Sequence, residues 1–238
     1  MFVIKRNQIV IAVALILTVI TFVFCISNLG VSSAGGKDNE KIKIVLDAGQ
    51  GGIDGGATGV KTGVKESDIN LAVVKKLEKY LLSGGFKVVL TRSTDGGLYG
   101  TATLNRKKKD MQKRKSIIDS VSPDLVVSVH MNTFGSSSRR GAQVFFGETT
   151  AQSRQLAESI QNSFNQMEES VKKTSALKGD YFLLNYIKSP CVIAECGFLS
   201  NPEDERLLTS EEYQDKIAYA IFKGIIEYFS VNTIKFCD

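Results

Sequence analysis

The stretch Leu46-Asp47-Ala48-Gly49-Gln50-Gly51-Gly52-Ile53-Asp54-Gly55-Gly56-Ala57 limits the fold of this chain more than any other. A short apolar run, Ile42 to Leu46, precedes it and reads as a buried strand. Five glycines between positions 49 and 56 then let the backbone turn sharply and come close to another group. A strand that ends in such a loop is where α/β proteins keep their chemistry. Gln50 is the odd residue of the loop, because the chain has a single histidine, His130, far downstream.

The remaining sequence alternates strand and helix signals. Apolar residues Ile69, Leu71, Val73, Val74, Leu77, Leu81 and Leu82 form a helical stripe over 67–82, stopped by Gly84-Gly85. Further strands are expected at 86–91, 124–131, 142–146 and 191–195, that at 124–131 with the continuous apolar centre of a sheet covered on both faces. Helices are expected at 104–121, 150–167, 203–208 and 211–229, with Thr149 or Thr150 as an N-cap. The short apolar piece 181–184 reads as a possible strand. The pattern predicts a single α/β domain of three layers, a mostly parallel twisted sheet with helices on both faces. A length of 238 residues and a hydrophobic content of 43% suit one such domain plus an N-terminal extra.

Residues 1–36 stand outside that domain, which is expected to occupy 37–238. Lys5 and Arg6 form a basic flank, and Ile9 to Ile26 is almost wholly apolar. This run approaches the roughly 20 residues that span a bilayer and is long for a signal-peptide core. It reads as a signal anchor followed by a linker, with cleavage after Val31-Ser32-Ser33-Ala34 as the alternative. The flanking cations place the short end inside the cell and the domain outside. Without Lys5 and Arg6 the chain has 28 Lys and Arg against 25 Asp and Glu, a net charge of +3. The four cysteines do not make a disulfide framework. Cys25 lies in the apolar segment, Cys237 is penultimate, and Cys191 and Cys196 share one strand at an odd spacing that turns them to opposite faces.

Polar residues at strand ends carry the chemistry. His130 ends the strand at 124–131, Glu195 ends the strand at 191–195, and Glu66 opens the first helix. A lone histidine in an apolar run is commonly a satisfied core residue, and Glu66 by itself is a favourable charge at a helix start. A carboxylate at the end of a buried strand must be paired, protonated or metal-associated. In a parallel sheet the strand C-termini share one edge, so Gln50, Glu66, His130 and Glu195 can converge.

Other motifs have plainer readings. Arg106 to Lys115 carries seven basic residues in ten positions, read as a solvated helix face with anionic wall polymer or lipid head groups as the next choice. Nucleic acid is not expected, since the chain reads as exported and lacks RNA- or DNA-binding motifs. The glycine loop lacks the Gly-Lys-Ser/Thr ending of a P-loop. Ser136 to Arg140 reads as a loop beside the site, and Phe134 and Tyr181 as packing residues within possible reach of a ligand.

The glycine loop, Glu66, Ser128-Val129-His130-Met131-Asn132, Gly141-Ala142-Gln143-Val144-Phe145 and Glu195-Cys196-Gly197-Phe198-Leu199-Ser200-Asn201-Pro202-Glu203-Asp204 occur in an order that resembles the zinc-dependent N-acetylmuramoyl-L-alanine amidases of the Amidase_3 type. The resemblance runs from about Ile42 to the C-terminus. It implies a peptidoglycan hydrolase that cuts between N-acetylmuramic acid and L-alanine. It implies metal ligands at position 50, Glu66 and His130, a catalytic Glu195, and Asn132 near the substrate. Two imidazoles and a carboxylate leave an open fourth zinc position for water. One anchor and one catalytic domain, without wall-binding repeats, is the layout of sporulation members that prepare cortex peptidoglycan for muramic-δ-lactam formation. That layout implies action in the intermembrane space of the forespore and allows a spore-envelope partner that assists metal binding.

The chain departs from the family pattern at position 50, where glutamine replaces histidine. A neutral amide oxygen is a weaker zinc ligand than imidazole, so Zn2+ is expected to be weakly held. Two readings follow. One is an amidase with weakened metal binding; the other is an inactive relative that binds peptidoglycan or activates another hydrolase.

Overall fold

The computed structural model describes residues 41–234. The expected anchor and linker, Cys25 and Cys237 lie outside the described residues. Among the described residues no helix is long and apolar enough to cross a membrane.

Six strands form one sheet: β1 (Lys43–Ala48), β2 (Lys87–Leu90), β3 (Leu125–Asn132), β4 (Gln143–Phe146), β5 (Leu177–Lys178) and β6 (Cys191–Phe198). Their order is β2-β1-β3-β6-β4-β5. All neighbouring pairs are parallel except β4 and β6, which run antiparallel. The helices are α1 (Glu66–Ser83), α2 (Arg106–Val121), α3 (Ala151–Asn165), α4 (Phe182–Tyr186), α5 (Pro202–Leu208) and α6 (Glu211–Ile234). The result is the expected single-domain α/β fold with a mostly parallel sheet.

Alternation along the central strands divides their side chains between two cores. Ile44 and Leu46 of β1, Val127 and Val129 of β3, and Val192 and Ala194 of β6 join the larger core with α1, α3 and α6. Val45, Val126, Cys191 and Ile193 join the smaller core with Ile118 of α2 and Leu183 and Leu184 of α4. Cys191 and Cys196 therefore fall in different cores, as their odd spacing requires.

Helix ends follow local chemistry. Gly84 caps α1, and Gly85 takes a left-handed φ of 86° that a side chain would strain. Thr150 is the N-cap of α3 and accepts from the Ser153 amide. Asn201 caps α5 by accepting from the amides of Glu203 and Asp204, with Pro202 at the first position.

Two expectations need correction. Residues 181–184 are not a strand, since Phe182–Tyr186 is one helical turn and a half whose buried Leu183 and Leu184 close the smaller core. The edge strand in this region is instead β5, two exposed residues paired with β4. Periodicity cannot separate strand from helix over so short an apolar run. The basic run on α2 is not solely a solvated face. Arg114 is 1% exposed and Asp110 is buried beside it, while most of the lysines remain outside.

Candidate active site

Asp47, Ser128, His130 and Glu195 lie at even spacing from Val45, Val126 and Ile193, so they belong to the smaller face near the C-terminal ends of three parallel strands. His130 and Glu195 are register partners across β3 and β6. The register slips between His130 and Asn132, a local irregularity that ends regular pairing at the site.

The glycine loop closes over His130. A side chain on Gly49 would begin 2.2 Å from the imidazole Cε1 and Nε2, so only glycine lets the loop lie on the ring. Glu66, the first residue of α1, reaches the same ring: its Oε1 lies 2.8 Å from His130 Nδ1. Its Oε2 accepts from the Ala57 amide at 2.8 Å, and Asn70 Nδ2 donates to Oε1 at 3.2 Å. Burial acts to raise the Glu66 carboxyl, but His130, Ala57 and Asn70 together hold it below its ordinary value. Burial likewise acts to lower the imidazole, and Glu66, Glu195 and Asp47 outweigh it and favour the protonated ring.

Glu195 is 7% exposed, and its Oε2 is buried without a hydrogen-bond partner. Burial pushes its carboxyl up to about 7; the His130 charge opposes the rise and the Glu66 charge adds to it. A carboxyl so placed can hold or release a proton near neutral pH.

Gln50 sits in the left-handed region at φ 59°, which costs a non-glycine residue roughly 1–2 kcal/mol. Its side chain neighbours Glu66, since a Cβ on Gly56 would fall 2.2 Å from Glu66 Oε2 and 2.6 Å from Gln50 Cγ. Two buried arginines hold the loop in this shape. Arg92 donates to the carbonyls of Ala48, Gly49 and Ser67, and Arg114 donates to those of Ala48 and Gln50. Arg114 also pairs with Asp47 and Asp110. Burial acts to raise the Asp47 carboxyl, whereas Arg114 and the hydroxyls of Ser128 and Thr91 bring it below its ordinary value.

A cavity of about 590 Å³ opens over this constellation and is lined by Gln50, Glu66, His130, Asn132 and Glu195. Every site residue expected from the sequence is thus brought to one cavity. Asn132 accepts from the Thr133 amide through Oδ1. Tyr181 lines the cavity and packs on the Phe145 ring, whereas Phe134 does not line it and lies under the Arg139 guanidinium. Arg92 and Arg114 were not expected from the sequence. The only signal for Arg114 is its spacing of four from Asp110, hidden in a run of surface charges. Arg92 has no local signal, because its partners are backbone carbonyls of another segment.

Glu66 and His130 offer a metal ion a carboxylate and an imidazole, and Gln50 offers an amide oxygen. Among the described residues no group of three or more His, Cys, Asp or Glu side chains is placed to hold a metal. Two strong donors with a neutral third suit zinc bound less tightly than two imidazoles and a carboxylate bind it.

Comparison with known proteins places this geometry. The chain is 37% identical over 191 residues to the germination-specific N-acetylmuramoyl-L-alanine amidase of Bacillus subtilis strain 168, covering 79% of each chain. The CwlD amidase of Clostridioides difficile, solved in complex with the GerS lipoprotein, is 38% identical with a TM-score of 0.76, over 80% of this chain and all of that one. The catalytic domain of CwlV, an N-acetylmuramoyl-L-alanine amidase from Bacillus (Paenibacillus) polymyxa, is 29% identical with a TM-score of 0.69, over 80% of this chain and 99% of that one. The model of the Amidase_3 family, N-acetylmuramoyl-L-alanine amidase, matches residues 44–227, a span that takes in all of the sheet but its first residue and every residue lining the cavity, and the chain belongs to that family.

Proposed function

We propose that this protein hydrolyses the amide between N-acetylmuramic acid and L-alanine in peptidoglycan, with Glu195 carrying the proton. Glu66 and His130 are the strong anchors of a zinc ion, and Gln50 stands at the third ligand position. The observation that carries the reading is the unpartnered Oε2 of buried Glu195 on the wall of the cavity that holds the Glu66–His130 pair. A buried carboxylate without a partner costs stability, and pure binding does not need one.

The chemistry a bound zinc supplies is polarisation of the scissile carbonyl and acidification of a water. Glu195 takes a proton from the attacking water on Oε2 and delivers it to the departing amine of L-alanine. Burial, which lifts this carboxyl to about 7, matches it to both halves of that transfer. Asn132 borders the same space and is the proposed substrate contact. Arg92 and Arg114 act by holding the loop that carries Gln50.

A role in spore cortex peptidoglycan is supported by the likeness to the germination-specific amidase of B. subtilis and the CwlD amidase of C. difficile. The latter was solved with a lipoprotein, which supports including a protein partner that assists metal retention. The apolar run from Ile9 to Ile26 supports an extracytoplasmic, membrane-anchored protein. The second reading, an inactive peptidoglycan binder or hydrolase activator, draws on Gln50.

The test compares the full-length protein with its Gln50→His variant for zinc content and for release of L-alanyl peptides from peptidoglycan. The expected result is little zinc in the natural sequence and a rise in both quantities in the variant. The rise should exceed the roughly 10–100-fold typical of groups that only support a ligand. If histidine changes neither quantity, position 50 is not a ligand position. If zinc rises without hydrolysis, the inactive binder is the better reading.

A further inference from the structure

The cavity extends beyond the Glu66, His130 and Glu195 constellation to the first turn of α2, where Arg106 and Lys107 line it. The carboxylates Asp47 and Asp110, which also border the cavity, are both taken by Arg114. Glu66 is engaged by His130, and Asp54 accepts the Gly56 amide. Arg106 spends its Nε on the Ala102 carbonyl and lies 5.9 Å from the Tyr99 ring centroid. Among the described residues neither Arg106 nor Lys107 is in an ion pair. The cavity therefore has a reactive side whose buried Glu195 Oε2 lacks a hydrogen-bond partner, and a cationic side whose charges have no carboxylate partner among the described residues.

Helix geometry sets the spacing. Arg106 precedes Arg114 by two turns, which puts it about 12 Å farther along the axis at 1.5 Å per residue. Arg114 touches Asp47 and the Gln50 carbonyl and so marks the reactive side. An extended peptide advances about 3.3–3.6 Å per residue, so the interval amounts to roughly three to four residues, and the reach of the arginine side chain shortens it to about two.

We propose that Arg106 and Lys107 form an anion subsite for the stem peptide, taking a carboxylate on the second residue beyond the scissile amide. The inference rests on the amidase reading and deepens it: the protein selects acidic stems over amidated ones. Arginine can hold a carboxylate through two parallel hydrogen bonds, and an amide cannot accept both. Lys107, more exposed, adds a point charge at the rim.

The test uses uncleavable ketomethylene analogues of N-acetylmuramoyl-L-alanyl-D-glutamate and of its neutral diamide, titrated calorimetrically into the full-length protein. The acid is expected to bind about tenfold more tightly than the diamide, the equivalent of one charged hydrogen-bonded contact. The double variant Arg106→Gln/Lys107→Gln should bring the two affinities together and leave diamide binding as it was. The double variant Lys108→Gln/Lys109→Gln, farther along the same basic run, should keep the preference. The preference should also shrink with added salt in the natural protein, a measurement that needs no variant. Equal binding of acid and diamide, or a salt-independent preference, overturns the subsite and leaves the amidase reading standing. Binding of neither analogue overturns both.

Discussion

The two faces of the sheet are made from the same strands and put to different uses. On the larger face, β1, β3 and β6 present only apolar side chains, which α1, α3 and α6 bury. On the smaller face the same strands carry apolar residues at Val45, Val126 and Cys191, and polar ones nearer their C-terminal ends at Asp47, His130 and Glu195. Among the described residues α2 and the short α4 cover that face, and the space they leave near the strand ends is the cavity. A strand buried on both sides can hold the domain together with one set of alternate residues while the other set is released for chemistry at its C-terminal end.

The comparison can be broken most sharply at Glu195. Glu195→Ala should lower any peptide release by about 10²–10⁴-fold, the usual share of general acid–base catalysis. Thermal melting should stay level or rise, because the variant removes a buried oxygen with no partner. A variant that melts early would instead make Glu195 a structural residue.

Arg114 tests whether the polar face is also structural. Arg114→Met leaves Asp47 and Asp110 buried without their cation and should cost about 3–5 kcal/mol in urea unfolding. The pH dependence has a definite sign. Asp47 has a folded pKa below its unfolded value, so its contribution is complete above the unfolded value and is lost as pH falls through the folded one. The natural protein should therefore lose stability on acidification below about pH 4 through this group, and the variant should lose that part of the slope.

The larger face should respond through packing alone. Leu77→Ala removes a fully buried side chain of α1 and should cost about 2–5 kcal/mol, depending on how far the cavity collapses. Peptide release per folded molecule should be unchanged. A matching loss of turnover would mean that the faces are coupled through α1, whose first residue is Glu66.

Much of this division is legible in the sequence. The stripe from Ile69 to Leu82, the apolar centre of β3 and the glycine loop all follow from local periodicity and backbone freedom. Glu66, His130 and Glu195 stand out because each is a polar residue at a boundary of a buried element. Arg92 and Arg114 do not stand out, because what distinguishes them is burial, and burial depends on which segment lies opposite. Arg114 sits among lysines that look the same in sequence, and only the approach of β1 turns it inward. The helical state of Phe182–Tyr186 was equally hidden, since four or five apolar residues satisfy either period.

The sequence by itself determined the long elements, the gathering of the chemistry at strand ends, and the family to which the motifs belong. It also determined that position 50 carries a neutral amide where an imidazole is expected. Those are properties of residue type and spacing along one segment. Tertiary structure alone decided that Gln50 lies beside Glu66, that Oε2 of Glu195 is buried without a hydrogen-bond partner, and that Arg106 and Lys107 open into the same cavity. Each of these depends on groups far apart in the chain, and only the folded sheet brings them within reach of one another.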